Sequence, residues 1–262
     1  MPVCITGMHR SGTSLVANLL RLCGLYLGAE QDLMPATHDN RSGYWENQKF
    51  LTLNDALLAK LGGRWDLPPI VTDGWAEDER FSCLRAKAET LLEEFRNHEP
   101  WGWKDPRTSL TLPFWISLGG LTIPFWDGSG SKLKVVLCVR NPGEVFYSLR
   151  DREYTPNATG LNLWLIYNQN IVTSTLPTDR IVTHYESYFQ DAEAELRRVL
   201  SFLEISPSTE MIERSILAIS EKLRHHRFRE SPVDEMVDPA ISNLYQMLCQ
   251  EANYREAVGV TN

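Results

Sequence analysis

The sequence predicts an α/β protein of three layers, α/β/α, with a central parallel sheet, and three observations carry that reading. Short apolar, β-rich runs alternate with helical patterns along most of the chain, the order expected of βαβ units. The run "KVVLCV" is apolar throughout, as a strand covered on both faces should be. Finally, Gly7 and Gly12 hold the spacing G-x-x-x-x-G between the first apolar run and the first helical pattern, which is where a phosphate loop stands.

The elements follow in order. "PVCIT" reads as the first strand, and "SLVANLLRLCGL" as a helix whose Leu15, Val16, Leu19 and Leu20 form one buried face. A long segment then carries the loop "ATHDNRSGYWENQ", a helical stretch from Leu51 to Leu61 and a charged amphipathic helix from Glu77 to His98. "WGWK" with "LTLPFWISLG", "KLKVVLCVR" with "GEVFYSLRDR", and "RIVTHYE" with "AEAELRRVLSFL" supply three further strand and helix pairs. Beyond Phe202 the chain reads as helical, broken by "EKLRHHRFRESP", and ends in a helix around Ile241 to Tyr254. The expected organisation is one domain over 1–262 with a largely helical insertion at about 48–100. In such sheets ligands sit beyond the carboxyl ends of the strands, so the residues that follow each run are the informative ones.

The chain has 262 residues, 43% of them hydrophobic, enough to bury a substantial core. Its net charge of -8 argues against nucleic acid as a partner, because such binding rests on an excess of Lys and Arg. The five cysteines are odd in number and widely separated, the usage of reduced thiols rather than of a disulfide framework or a zinc site. No apolar run approaches the roughly 20 residues of a membrane span, and no basic leader opens the chain. The expectation is a cytoplasmic protein with no membrane segment.

The loop departs from the usual phosphate loop at one position. That loop reads G-x-x-x-x-G-K-[ST], with the lysine on the terminal phosphates and the hydroxyl on magnesium. Here Ser14 keeps the hydroxyl, but Thr13 stands in the lysine position and Arg10 brings a cation earlier in the loop. The run "KVVLCV" is followed by Arg140, not by the aspartate of a second magnesium-binding motif. The apparatus for phosphoryl transfer from ATP is incomplete, and the loop is expected to cradle a phosphate through backbone N–H groups at a helix start, without a metal. The plainer alternative is a glycine turn with Ser11 or Thr13 capping the helix.

These residues resemble a known family, the sulfotransferases that use 3'-phosphoadenosine 5'-phosphosulfate (PAPS). Their phosphosulfate loop reads approximately (K/R)-S-G-T-(T/S), matched by Arg10, Ser11, Gly12, Thr13 and Ser14. A second match is an arginine followed eight residues later by a serine, Arg140 and Ser148, which in the family hold the 3'-phosphate. The resemblance implies the sulfotransferase fold and transfer of a sulfuryl group from PAPS to a hydroxyl of a carbohydrate or small metabolite. It also implies release of adenosine 3',5'-bisphosphate without a metal, and His9 with Arg10 to Ser14 around the 5'-phosphate. Basic residues late in the chain close over the nucleotide in the family; Arg224 and Arg227 are the candidates, although the family's glycine-rich closing segment is not recognisable.

Transfer to a hydroxyl needs a base near the nucleophile and cationic donors at the leaving oxygen. Glu46 in "GYWEN", His9 and His184 all fit as the base; the resemblance to carbohydrate sulfotransferases, with a glutamate after the first helix as base, implies Glu46, whose structural reading is the start of the next helix. The resemblance implies Arg10 and Lys104, the latter in "WGWKDPR", as the cationic groups, against a turn held by an Asp105–Arg107 pair. The insertion is expected to build the acceptor site; Trp65, Trp75, Trp101 and Trp103 suit either stacking on an acceptor or packing in the core. The competing classes are a metal-dependent P-loop kinase or NTPase and a catalytically silent nucleotide-binding protein. Nothing in the sequence sets the oligomeric state.

Overall fold

The computed structural model describes residues 2–35, 43–118, 133–153, 157–219 and 238–255. Its strands are β1 (Pro2–Thr6), β2 (Trp101–Lys104), β3 (Lys134–Val139) and β4 (Arg180–His184). They form one sheet in the order β2-β1-β3-β4, and every pairing is parallel. Around it run α1 (Thr13–Leu22), α2 (Gln48–Lys60), α3 (Ser82–Arg96), α4 (Thr108–Ser117), α5 (Pro142–Glu153) and α6 (Asn157–Ser174). The chain continues through α7 (Ser187–Gln190), α8 (Ala192–Phe202), α9 (Thr209–Leu217) and α10 (Pro239–Glu251).

Strand side chains alternate between faces, and that alternation divides the interior in two. Cys4, Val135, Leu137, Val139 and Val182 pack into one core with side chains of α2 to α6 and α10. Val3, Ile5, Val136, Cys138 and Ile181 pack into a second core with α1, α8 and α9. A sheet apolar on both faces and covered on both is the three-layer α/β/α arrangement expected. The segment 48–100 is stitched into the first core: Phe50, Leu57, Leu92 and Phe95 are buried there beside Trp103 and Trp115.

Local differences from the sequence reading have identifiable causes. The charged helix begins at Ser82, after 3-10 turns at Trp75–Glu77 and Glu79–Phe81. Between these turns Asp78 is extended (φ -57, ψ 134) and its carboxylate accepts from Arg80 N at 2.9 Å. Trp75 and Phe81 meet edge to face at 5.5 Å in the core, so packing overrides helical propensity there. Helix α2 starts at Gln48 because Asn47 accepts from Lys49 N at 3.0 Å, an N-cap bond. Helix α6 did not stand out in the sequence; its Leu163, Trp164, Tyr167 and Ile171 are buried, but so is Asn168, while Ile166 is exposed, so polarity follows the helical period imperfectly.

Candidate active site

All four strands run out at one edge, and each delivers a residue of interest: Gly7 after β1, Lys104 at the end of β2, Arg140 after β3 and His184 at the end of β4. The loop after β1 is tightly determined. Gly7 has φ +138, and a Cβ there would lie 2.3 Å from Cys138 O on β3, so only glycine lets the loop cross the neighbouring strand. Arg10 takes the left-handed region with φ 69, a conformation of the kind that clusters at binding sites in non-glycine residues. Gly12, not Ser11 or Thr13, is the N-cap of α1. It brings no side chain to the first-turn N–H groups, a helix start whose dipole favours an anion. Ser11 Oγ is buried with no hydrogen-bond partner among the described residues, an open donor and acceptor beside those amides.

The two sequence motifs meet directly. Arg10 Nε donates to Ser148 Oγ at 2.8 Å, across 138 residues of sequence. As acceptor of that bond the Ser148 hydroxyl keeps its own proton for a further partner. Arg140 lies at the other side of the cluster, 6% exposed. Its Nε donates to Glu144 Oε2 at 2.7 Å, one helical turn on, its guanidinium lies 4.5 Å from the centroid of the Tyr185 ring, and its carbonyl accepts from Trp164 Nε1 at 3.1 Å.

A third group gathers where β2 ends. Lys104, 2% exposed, donates to Ser14 Oγ at 3.2 Å, to Tyr44 O at 3.0 Å and to Glu46 Oε1. Ser14 Oγ in turn donates to Tyr44 O at 3.3 Å, so the hydroxyl that a magnesium-dependent loop would place on its metal faces an ammonium instead. Glu46 precedes the cap of α2 rather than lying in the helix. It is 5% exposed, and its Oε2 has no hydrogen-bond partner among the described residues. Burial pushes the Glu46 carboxyl above its ordinary value, with the nearby Lys104 ammonium opposing part of that rise. Trp45 sets the direction of approach: its φ of 63 turns the chain, and its ring is held under the Arg21 guanidinium at 4.3 Å.

Lys104 is also what keeps Glu46 tolerable in the fold. Lys104→Met removes the pairing that offsets burial, so the folded-state pKa of Glu46 rises further above its unfolded value. A raised carboxyl pKa gives stability that is present below the unfolded pKa and lost as pH rises through the folded one. The variant is therefore expected to lose about 3–5 kcal/mol at pH 8 and markedly less at pH 5. Thermal unfolding at the two pH values checks this, and an equal loss at both would contradict it.

The remaining candidates fall in different places. His9 rests against Trp65 (ring centroids 4.7 Å) and Tyr167 (5.8 Å), at the junction of the loop with the 48–100 segment. His184 is fully buried and stacked on Tyr254 at 3.6 Å. Its Nδ1 accepts from Glu186 N at 3.2 Å, which places the ring proton on Nε2, bonded to Tyr245 OH at 3.1 Å. Both nitrogens are spent, and burial lowers its pKa to about 3. Asp105 and Arg107 do pair, at 3.2 Å, and Asp105 also accepts from Asn54 Nδ2 at 2.8 Å. Trp75, Trp101 and Trp103 are buried in the core, whereas Trp65 is only partly buried against it. Arg224 and Arg227 lie outside the described residues. Two further residues of the site carry a signal in the sequence: Glu144, at i and i+4 spacing from Arg140, and Tyr185, which follows the β4 run at the informative edge.

A glycine loop between the first strand and first helix, beside a parallel sheet in the order β2-β1-β3-β4, defines a P-loop-like α/β protein. Comparison with solved structures narrows this to the sulfotransferase fold. The chain resembles the sulfotransferase domain from the curacin biosynthetic pathway, with a TM-score of 0.51 and 14% identity over 97% of this chain and 99% of that one. It resembles sulfotransferase STF9 from Mycobacterium avium with a TM-score of 0.54 and 14% identity, over 97% of this chain and 77% of that one. No protein-family model matches the sequence, and no curated protein matches it. No helix among the described residues is long and apolar enough to cross a membrane.

Proposed function

We propose that the protein is a PAPS-dependent sulfotransferase acting on a hydroxyl of a carbohydrate or small-molecule acceptor. The observation that carries the reading is the Arg10 to Ser148 bond at 2.8 Å. It joins the loop motif and the strand-end motif into one basic cluster at the sheet edge, as a ligand phosphorylated at both ends of an adenosine requires. The residues suit such a cofactor: uncapped first-turn amides and the unpartnered Ser11 hydroxyl for the 5'-phosphate, and Arg140 with the Ser148 hydroxyl for the 3'-phosphate. When bound, the cofactor supplies the sulfuryl group.

The chain's own groups divide the remaining work. Glu46 accepts the acceptor's hydroxyl proton on Oε2, the oxygen that Lys104 leaves open, which makes the acceptor oxygen a better nucleophile. Lys104, buried, and Arg10, half-buried, place positive charge where negative charge develops on transfer, screened less than in open water. His9, Trp65 and the 48–100 segment form the wall nearest the loop on the acceptor side. A metal-dependent kinase would need Ser14 on its metal; the Lys104 ammonium at 3.2 Å from that hydroxyl favours the metal-free reading instead.

The test is thermal unfolding with adenosine 3',5'-bisphosphate in excess chelator. At saturating ligand the midpoint should rise by about 5 °C or more. An unchanged midpoint, or a rise seen only with magnesium and ATP, would reject the reading.

A further inference from the structure

Tyr185, the first residue beyond β4, touches both the loop after β1 and the Arg140 guanidinium. On one side it meets the loop: a Cβ added at Gly12 would fall 2.4 Å from Tyr185 Cδ2, so the ring edge rests against the bare backbone at the N-cap of α1. On the other side it carries Arg140, whose guanidinium stands 4.5 Å from the ring centroid. The ring itself has little freedom. It is 6% exposed, Phe189 packs on it at 5.1 Å, and Tyr185 N donates to Val139 O at 2.8 Å, which extends the β3–β4 ladder to the residue before Arg140. Glu144 fixes the Nε edge of the same guanidinium. Arg140 is thus held on one face by an aromatic plane and on one edge by a carboxylate, and the plane that holds it is the one the phosphate loop leans on.

We propose that the Tyr185 ring is a positioning residue that fixes the separation of the two anion pockets, and thereby makes the protein select nucleotides phosphorylated at both ends over those phosphorylated at one. The inference rests on the two-pocket reading of the site but assigns a role which that reading does not contain. Two pockets held at a set distance bind a ligand that spans them far more tightly than either binds alone, because the second contact is intramolecular. That gain depends on rigidity: a guanidinium free to swing forfeits it, while each pocket still accepts a single phosphate. The ring surface, rather than the hydroxyl, supplies the support, through contact with Gly12 and cation–π attraction to Arg140.

Titration calorimetry of the full chain with adenosine 3',5'-bisphosphate, adenosine 5'-monophosphate and adenosine 3'-monophosphate tests this. In Tyr185→Leu the bisphosphate affinity should fall by about tenfold or more, while both monophosphate affinities stay within about threefold. Tyr185→Phe should keep the native preference. If Tyr185→Leu does not fold, as judged by circular dichroism, Tyr185→Met fills the space without a ring and takes its place. An unchanged ratio of bisphosphate to monophosphate affinity in the ringless variant would overturn the proposal, as would a loss in Tyr185→Phe equal to that in Tyr185→Leu. Failure of the native protein to bind the bisphosphate would instead sink the functional reading beneath it.

Discussion

Arg140→Ala is expected to weaken adenosine 3',5'-bisphosphate binding by about 10- to 100-fold, the loss of one charge-assisted hydrogen-bonding group worth about 1.5–3 kcal/mol. Arg140 is buried, oriented from two directions by Glu144 and Tyr185, and placed where β3 ends beside the loop. Its removal also strands the Glu144 carboxylate, so part of the effect will appear as lowered stability of the ligand-free protein. Arg140→Lys separates the two consequences. It keeps a charge for Glu144 but loses the planar fork that grips a phosphate with two bonds, so stability should recover more than affinity. Titration calorimetry beside thermal unfolding measures both. Native affinity in Arg140→Ala would remove the second anion pocket from the account.

Glu46→Gln is expected to lower turnover by about 10²- to 10⁴-fold while nucleotide affinity stays within about threefold. The amide keeps the size of the side chain and can still accept from Lys104 through its oxygen, but it cannot take a proton. Because burial raises the Glu46 carboxyl above its ordinary value of 4.5, the native rate should climb with pH through a midpoint above that value, as the carboxylate forms. The glutamine variant should lack that acid limb. The pH profile with any hydroxyl acceptor that supports turnover checks this, and near-normal turnover in Glu46→Gln would assign the proton to another group. His184 is a poor substitute, with both nitrogens engaged and its pKa near 3.

What the sequence disclosed and what it hid divide along physical lines. Strand β3 was readable because a strand buried on both faces is a continuous apolar run, the others because short β-rich runs alternate with helical patterns, and the strand ends pointed to Gly7, Lys104 and Arg140. The loop was readable because its glycines answer to backbone geometry: Gly7 passes 2.3 Å, in Cβ terms, from Cys138 O. Helix α6 was hidden because a polar residue, Asn168, is buried and an apolar one, Ile166, is exposed, and the 3-10 turns before α3 because Trp75 and Phe81 pack against each other rather than obey a helical period. The Arg10 to Ser148 bond and the Lys104 contacts with Ser14 and Glu46 bridge 138, 90 and 58 residues, distances over which no local pattern carries information. Of the tryptophans that sequence offers for an acceptor, only burial tells Trp65 from Trp75, Trp101 and Trp103.

The most direct measurement is a crystal structure with adenosine 3',5'-bisphosphate bound in the presence of a chelator. The 5'-phosphate should lie on the first-turn amides of α1 with Ser11 Oγ turned onto it, and the 3'-phosphate should be held by Arg140 and the Ser148 hydroxyl, with the Tyr185 ring between them. A nucleotide seated away from the carboxyl edge of the sheet, or one held there only through a metal on Ser14, would contradict the account.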